Sequence, residues 1–135
     1  MFLHMLNRKE KEGFLDLAFS VSAYDGEFTV EEKGMIEQYR KETGLDSSEH
    51  RINEKAEIEN ILKVFDDSEK TVKNAIFIEI LGLVLCDQNF AEKEKVIIGK
   101  VMEKLQIPEK QLEPTMQWIN DLNKVYQRAN ELINM

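Results

Sequence analysis

Residues 25–33 read DGEFTVEEK and residues 87–95 read DQNFAEKEK, and this repeated stretch decides the fold. A shift of 62 positions superposes four residue pairs: Asp25 on Asp87, Phe28 on Phe90, Glu32 on Glu94 and Lys33 on Lys95. The apolar positions on both sides of the stretch agree at the same shift. The sequence therefore predicts two copies of one unit, which consists of an apolar helix, an acidic corner and an amphipathic helix.

The rest of the chain extends this pattern to an all-α fold. Apolar residues recur at helical spacing, and few stretches show the alternation that is typical of strands. We expect a single domain over residues 1–135, with six or seven helices in a compact bundle built from two pseudo-symmetric helix-corner-helix units. The units span about residues 8–45 and 69–107, and the second unit ends with a helix from about Glu92 to Leu105. A last helix spans about residues 114–133, and its apolar side consists of Trp118, Ile119, Leu122, Val125, Tyr126, Ala129 and Leu132.

Local signals place the individual helices. Asn7 with Glu10, and Thr29 with Glu32, have the form of capping boxes and predict helix starts. The polar segment 46–60 predicts a short, mobile helix or two, the first starting at Asp46. The helix at about 69–86 is apolar nearly all round from Ala75 onward, which is typical of a helix surrounded by others.

The small residues Ala75, Gly82 and Cys86 share one stripe of this central helix with Glu79. Ser20 is the counterpart of Gly82 in the first unit. We expect the two apolar helices to cross closely near this pair.

The net charge of −8 is concentrated in one part of the chain. Residues 25–69 carry six basic and fourteen acidic side chains, which accounts for the whole excess. An acidic domain is not attracted to the phosphates of nucleic acids or to anionic lipids. Cations and basic proteins suit this charge, although an acidic segment also serves solubility alone.

No motif in the sequence indicates catalysis, export or membrane insertion. The single cysteine, Cys86, rules out an internal disulfide, and residues 1–6 are too short and lack the basic residues of a signal peptide. The longest apolar run, residues 75–86, is far below the roughly 20 residues of a membrane span. His4 and His50 are too isolated to indicate a zinc site or a catalytic dyad. We expect a cytoplasmic protein that is not an enzyme.

Each acidic corner places one carboxylate before a turn and another in the first turn of the next helix. Helix N-termini favour negative charge, and oxygen ligands suit Mg²⁺ or Ca²⁺, so a divalent cation is a possible cofactor for four converging residues: Asp25, Glu32, Asp87 and Glu94. The alternative is that the two aspartates cap backbone amides and the two glutamates complete capping boxes, without a metal. An EF-hand is excluded, because loops starting at either aspartate lack the required glycine and glutamate.

Two helical hairpins, each with an acidic corner of the form D-G-x-[FI]-x-x-x-E, resemble the TerB-like domain of tellurite-resistance proteins. Residues 18–35, AFSVSAYDGEFTVEEKGM, carry most of the likeness, residues 81–98 carry the second half, and the resemblance covers about residues 8–120. Gln88 stands where the family often has glycine, which weakens the case for symmetric metal binding. The resemblance implies an all-helical, pseudo-two-fold fold with acidic residues for a divalent metal. It also implies a role in stress or metal-response complexes near the membrane.

Three functions remain open at this point. The first is a metal-responsive interaction module, the second is a structural protein-interaction domain without metal, and the third is a metal-dependent hydrolase. The acidic residues of segment 25–60 predict that a basic protein partner or a cation binds there. Nucleic acid is not an expected partner, and the sequence does not indicate an oligomeric state.

Overall fold

The structure is a computed structural model, and it describes residues 1–24, 26, 28–86, 90 and 92–135. These residues form six α-helices and no strand, which confirms the all-α prediction. The helices are α1 (Arg8–Ala23), α2 (Val30–Thr43), α3 (Ile58–Leu62), α4 (Lys70–Val84), α5 (Glu92–Leu105) and α6 (Leu112–Ile133). Short 3-10 turns at Leu3–Met5, Lys63–Phe65 and Glu109–Gln111 lie before α1, after α3 and before α6.

Capping residues fix where the first two helices begin. Ahead of α1, the side chain of Asn7 accepts a hydrogen bond from the Glu10 N–H, and the Glu10 carboxylate accepts one from the Asn7 N–H, both at 2.9 Å. Thr29 and Glu32 form the same reciprocal pair ahead of α2. α2 ends at Gly44, whose φ of 72° lies in the left-handed region that favours glycine. Both predicted capping boxes are therefore confirmed.

The two predicted units are helix pairs around one core. α1 packs against α2, α4 packs against α5, and α1 and α4 pack against each other. Phe14 of α1 meets Tyr39 of α2 edge to face, with ring centroids 4.9 Å apart. α4 also contacts α6 and the first 3-10 turn, so it is the surrounded helix that its composition predicts.

The polar segment between α2 and α3 is not helical as far as residue 57, so the prediction of a helix starting at Asp46 is wrong. The Asp46 carboxylate instead accepts from the N–H groups of Ser48 and Glu49, at 2.9 and 3.0 Å, and closes a turn. Asp16 of α1 then holds the segment. Its Oδ1 accepts from the Asn53 N–H at 3.0 Å and lies 2.9 Å from Nε2 of His50.

α6 packs against the rest of the domain through its first half only. Leu112 and Met116 lie half-buried against the core, and Ile119 is the buried residue of the helix. Every residue from 123 to 135 is exposed. The apolar side that the sequence predicts for this helix is therefore largely in contact with solvent.

The predicted close crossing of Ser20 and Gly82 is wrong. A Cβ atom on Gly82 would meet nothing within 4 Å, so this face of α4 borders open space. Ser20 turns to the polar segment instead, where its hydroxyl donates to the Ala56 carbonyl at 3.4 Å. Within the described residues, no helix is both long and apolar enough to cross a membrane.

Candidate functional site

The structure describes only half of the predicted cation ligands. Asp25 and Asp87 lie outside the described residues, as does Gln88. Glu32 is buried at the start of α2, and its Oε1 accepts from the N–H and the hydroxyl of Thr29, at 3.0 and 3.1 Å. Glu94 lies half-buried in the first turn of α5. Across the described residues, no group of three or more His, Cys, Asp or Glu side chains could hold a metal ion.

Each corner also carries the same aromatic contact. The Lys33 ammonium lies 5.6 Å from the centre of the Phe28 ring, and the Lys95 ammonium lies 5.9 Å from the centre of the Phe90 ring. Phe28 packs edge to face on Phe19 of α1, with centroids 5.4 Å apart. The two lysine–phenylalanine contacts join each corner to the helix that follows it, and the Phe28–Phe19 contact joins the first corner to α1, which precedes it. The described part of the repeat therefore has a structural role in both units.

A groove of about 560 Å³ lies between α2, α4 and α6, on the open side of Gly82. Its floor is formed by Ile78, Glu79 and Gly82 of α4, and its two walls come from α2 and from α6. Residues of all three helices line it, among them Met35, Gln38, Glu42, Ile78, Gly82, Leu122 and Tyr126. From Trp118 to Asn130, the α6 wall spans thirteen residues, or roughly 18 Å of helix.

One end of the groove is closed by the N-terminal residues. The Phe2 ring lies 5.9 Å from that of Trp118, and the Phe2 N–H donates to Glu79 Oε1 at 2.9 Å. The ammonium of Met1 lies 2.6 Å from Glu42 Oε2 and 3.1 Å from Glu79 Oε1. Burial lowers the pKa of this ammonium, but its hydrogen bonds with the two glutamates outweigh burial and raise the pKa above 8.0.

The polar groups at the closed end are bonded to one another. The Tyr39 hydroxyl donates to the backbone carbonyl of Glu79 at 3.1 Å, and burial, followed by the charge of Glu79, raises the pKa of Tyr39 well above its ordinary value. The Glu79 carboxylate accepts from the Phe2 N–H and pairs with the Met1 ammonium. The rest of the groove therefore offers mainly apolar surface, with Trp118 40% and Tyr126 59% exposed.

The charge on the groove is negative along α2. Among the described residues that line it, the charged side chains are Glu42 and Glu79. Glu31 precedes Met35 by four positions on α2, so it lies on the same helix face, and it is exposed. The wall on α6 carries amides, from Asn123, Gln127 and Asn130. A cationic group is therefore favoured along the α2 wall, as the position of the Met1 ammonium illustrates.

A second groove, of about 690 Å³, lies between α5 and the start of α6. Met102, Ile107, Leu112 and Met116 contribute to its apolar lining, and Gly99 borders it. These four apolar side chains belong to the core or pack against it. The lining of the groove also carries Lys95 and three acidic side chains, Glu103, Glu109 and Glu113, so this groove is acidic as well, although it lies outside the acidic segment 25–69.

His50 belongs to a carboxylate cluster that spacing along the chain does not reveal. Its Nδ1 lies 3.7 Å from Glu12 Oε2, and its Nε2 lies 2.9 Å from Asp16 Oδ1. Glu12 and Asp16 are one turn apart on α1. Since Asp16 also accepts from the Asn53 N–H, the cluster anchors the segment 46–57 to α1.

Comparisons with protein family models, with curated proteins and with solved structures gave no match for this chain. The resemblance to the TerB-like domain therefore stays a prediction from the acidic corners.

Proposed function

We propose that this domain is a protein-interaction module, and that the groove between α2, α4 and α6 binds a basic, apolar helix of a partner protein. One observation carries this proposal: an open apolar groove whose floor is left free by Gly82. Its α2 wall carries Glu42, which pairs with the Met1 ammonium, and Glu31 is exposed further along the same face of α2. Amphipathic helices bind such grooves through apolar side chains at positions i, i+3 or i+4, and i+7.

The dimensions favour a helical occupant. Roughly 18 Å of α6 borders the groove, which matches three to four turns of a helix. Ile78 and Gly82 are one turn apart on the floor, so two successive apolar side chains of an occupant can rest beside them. A small polar ligand is less favoured, because the polar groups at the closed end already have partners.

The charges favour a basic occupant. Glu31 and Glu42 lie on the α2 face that borders the groove, and the surrounding segment 25–69 carries the whole net charge of −8. This negative charge would attract lysine or arginine side chains on the flank of a bound helix, and it would repel an acidic helix. This proposal keeps the charged contacts of a basic partner within residues 25–60, on α2, but it differs from the sequence-based prediction in that the apolar contacts lie on α4 and α6 in the C-terminal half.

Two model peptides test this proposal, and the fluorescence of a tryptophan in the groove reports their binding. Both are amphipathic helices with leucine on one face, and the other face carries lysine in one peptide and glutamate in the other. Trp118 is the single tryptophan of the chain and lines the groove, so its fluorescence reports occupancy. We expect the lysine peptide to shift the Trp118 emission to shorter wavelength with saturable binding, and the glutamate peptide to bind at least about tenfold more weakly.

Equal affinity of the two peptides would contradict the preference for a basic partner. The absence of a saturable change in Trp118 fluorescence with either peptide would contradict the groove as a docking site. The variant Glu31→Gln/Glu42→Gln refines the experiment. It should weaken binding of the lysine peptide, whereas Glu103→Gln/Glu109→Gln, beside the second groove, should not.

The divalent-cation site at Asp25, Glu32, Asp87 and Glu94 remains a separate proposal that rests on the resemblance to the TerB-like domain. What supports it is the acidic first turn of both α2 and α5, with Glu31, Glu32, Glu92 and Glu94. The hydrogen bonds that Glu32 accepts from Thr29 support the alternative, in which these residues cap helices. The proposed groove does not require a metal in either case.

A further inference from the structure

The last three turns of α6 expose an apolar stripe of their own. Val125 and Leu132 are 60% and 69% exposed, and Ala129 is also exposed. With Trp118 and Leu122 they follow the spacing 4, 3, 4, 3, which is that of the a and d positions of a coiled coil. Val125, Ala129 and Leu132 do not line the groove between α2, α4 and α6, whereas Trp118 and Leu122 do, so the stripe begins at the groove and continues beyond it.

This end of α6 has little to stabilise it within one chain. Every residue from 123 to 135 is exposed, and Asn120, Asn123 and Asn130 have low helix propensity. Isolated helices shorter than about 12–15 residues are marginal in water, and most helical stability in proteins comes from packing of an apolar face. An apolar face on this segment is therefore expected to be covered.

The sequence of α6 is complementary to itself when two copies run in opposite directions. In this stripe Leu122 and Ala129 are a positions, and Trp118, Val125 and Leu132 are d positions. When each a position is placed opposite a d position of the second copy, Leu122 meets Val125, and the large Trp118 meets the small Ala129. Asp121 and Arg128 are both g positions, which flank the apolar contact between the two helices. In this register, Asp121 of one copy lies opposite Arg128 of the other. Both charges are exposed on the isolated chain.

The parallel arrangement lacks this complementarity. It would stack Trp118 on Trp118, and it would place Asp121 opposite Tyr126 and Arg128 opposite Ile133, so neither charge would meet a partner. We propose that the apolar stripe of α6, from Trp118 to Leu132, binds a second copy of this chain as an antiparallel helix pair with two-fold symmetry. The pair shares Trp118 and Leu122 with the peptide groove, whereas Asp121, Val125 and Arg128, which the experiments below change, do not line that groove.

Charge reversal tests the direction and register of the pair. The full 135-residue chain is studied by sedimentation equilibrium over a range of concentrations, with the variants Asp121→Arg, Arg128→Asp and the double variant. We expect the wild type to dimerise, each single reversal to weaken the dimer at least about tenfold, and the double variant to recover wild-type affinity. Lys124→Glu and Glu131→Lys are matched controls on the outer side of α6, and they should leave the dimer unchanged.

Val125→Glu provides a second measurement, since it places charge in the seam and should abolish the dimer, with the helix content checked by circular dichroism. A wild-type chain that stays monomeric at all concentrations would overturn the proposal and would leave another protein as the occupant of the stripe. A dimer in which the double variant fails to recover affinity would overturn the antiparallel register.

Discussion

The ring of Phe2 lies 5.9 Å from the ring of Trp118, at an interplanar angle of 44°. The contact joins the start of the chain to the helix at its end, and both residues line the groove between α2, α4 and α6. Because Ile119 is the buried residue of α6, the Phe2 contact is one of few that hold this helix on the body of the domain. The shape of the groove therefore depends on the first two residues.

The first prediction concerns this contact. Phe2→Ala removes one half-buried ring, so we expect a loss of about 1–2 kcal/mol in the free energy of unfolding, less than for a fully buried phenylalanine. The emission of Trp118 should shift to longer wavelength as α6 loosens. His4→Ala, at an exposed position of the same N-terminal segment, is the control and should change neither quantity. An unchanged emission spectrum in Phe2→Ala would show that the contact does not position α6.

The second prediction concerns the anchor of segment 46–57. Asp16→Ala removes the acceptor of the Asn53 N–H and the partner of His50, so we expect a loss of about 1 kcal/mol in stability. Hydrogen exchange at the Asn53 amide should become at least about tenfold faster. In Glu12→Ala the effect on this amide should be small, since Glu12 lies 3.7 Å from His50 and does not bond Asn53. Unchanged exchange at Asn53 in Asp16→Ala would contradict the anchoring role.

The third prediction is a pH dependence at the turn after α2. The Ser48 hydroxyl, followed by the N–H groups of Glu49 and Ser48, bonds the Asp46 carboxylate and lowers its pKa below 3.8. A carboxylate with a lowered pKa in the folded state contributes stability above its unfolded pKa and loses it as the pH falls through the folded value. We expect NMR titration of Asp46 to give a midpoint below 3.8.

The same titration in Ser48→Ala should move the midpoint of Asp46 upward, because the largest of the three interactions is lost. Ser47→Ala is the matched control at the neighbouring residue. A midpoint that moves equally in both variants would mean that the hydroxyl of Ser48 is not the cause.

The fourth prediction separates the two interpretations of the acidic corners. If they bind Mg²⁺ or Ca²⁺, millimolar ion should shift the amide resonances of residues 25–32 and 87–94, and Asp25→Asn with Asp87→Asn should abolish the shifts. If they only cap helices, the ions should leave these resonances unchanged. The same substitutions should then cost up to about 1–2 kcal/mol in stability. The two sets of results exclude each other.

Short-range features of this fold were predictable from the sequence. The capping boxes at Asn7 and Thr29 depend on residues three positions apart, and α5 begins and ends at the predicted residues, Glu92 and Leu105. Such signals depend on backbone geometry within one or two turns, which spacing along the chain describes well.

Contacts between distant residues were not predictable in this way. His50 meets Asp16 across 34 positions, and the Phe2 N–H meets Glu79 across 77. The small-residue stripe around Gly82 was visible in the sequence, but small residues allow either a close helix crossing or open space. The apolar side of α6 was also visible, yet amphipathic spacing shows which face avoids water and not which surface covers it.

Substitution of Gly82 by leucine tests the central proposal most directly. A side chain at Gly82 projects into the floor of the groove, where a Cβ meets nothing within 4 Å, and replacing an interior helical glycine gains up to about 1 kcal/mol in helix propensity. Gly99→Leu is the matched control, because Gly99 is also helical and unobstructed but borders the second groove.

The measurement is the affinity of the lysine-bearing helical peptide for both variants, followed by Trp118 fluorescence, with melting temperatures recorded for each. We predict that Gly82→Leu weakens binding at least about tenfold while its melting temperature stays the same or rises, and that Gly99→Leu binds like the wild type. Wild-type affinity in Gly82→Leu, or an equal loss in Gly99→Leu, would contradict the assignment of the groove between α2, α4 and α6 as the binding site.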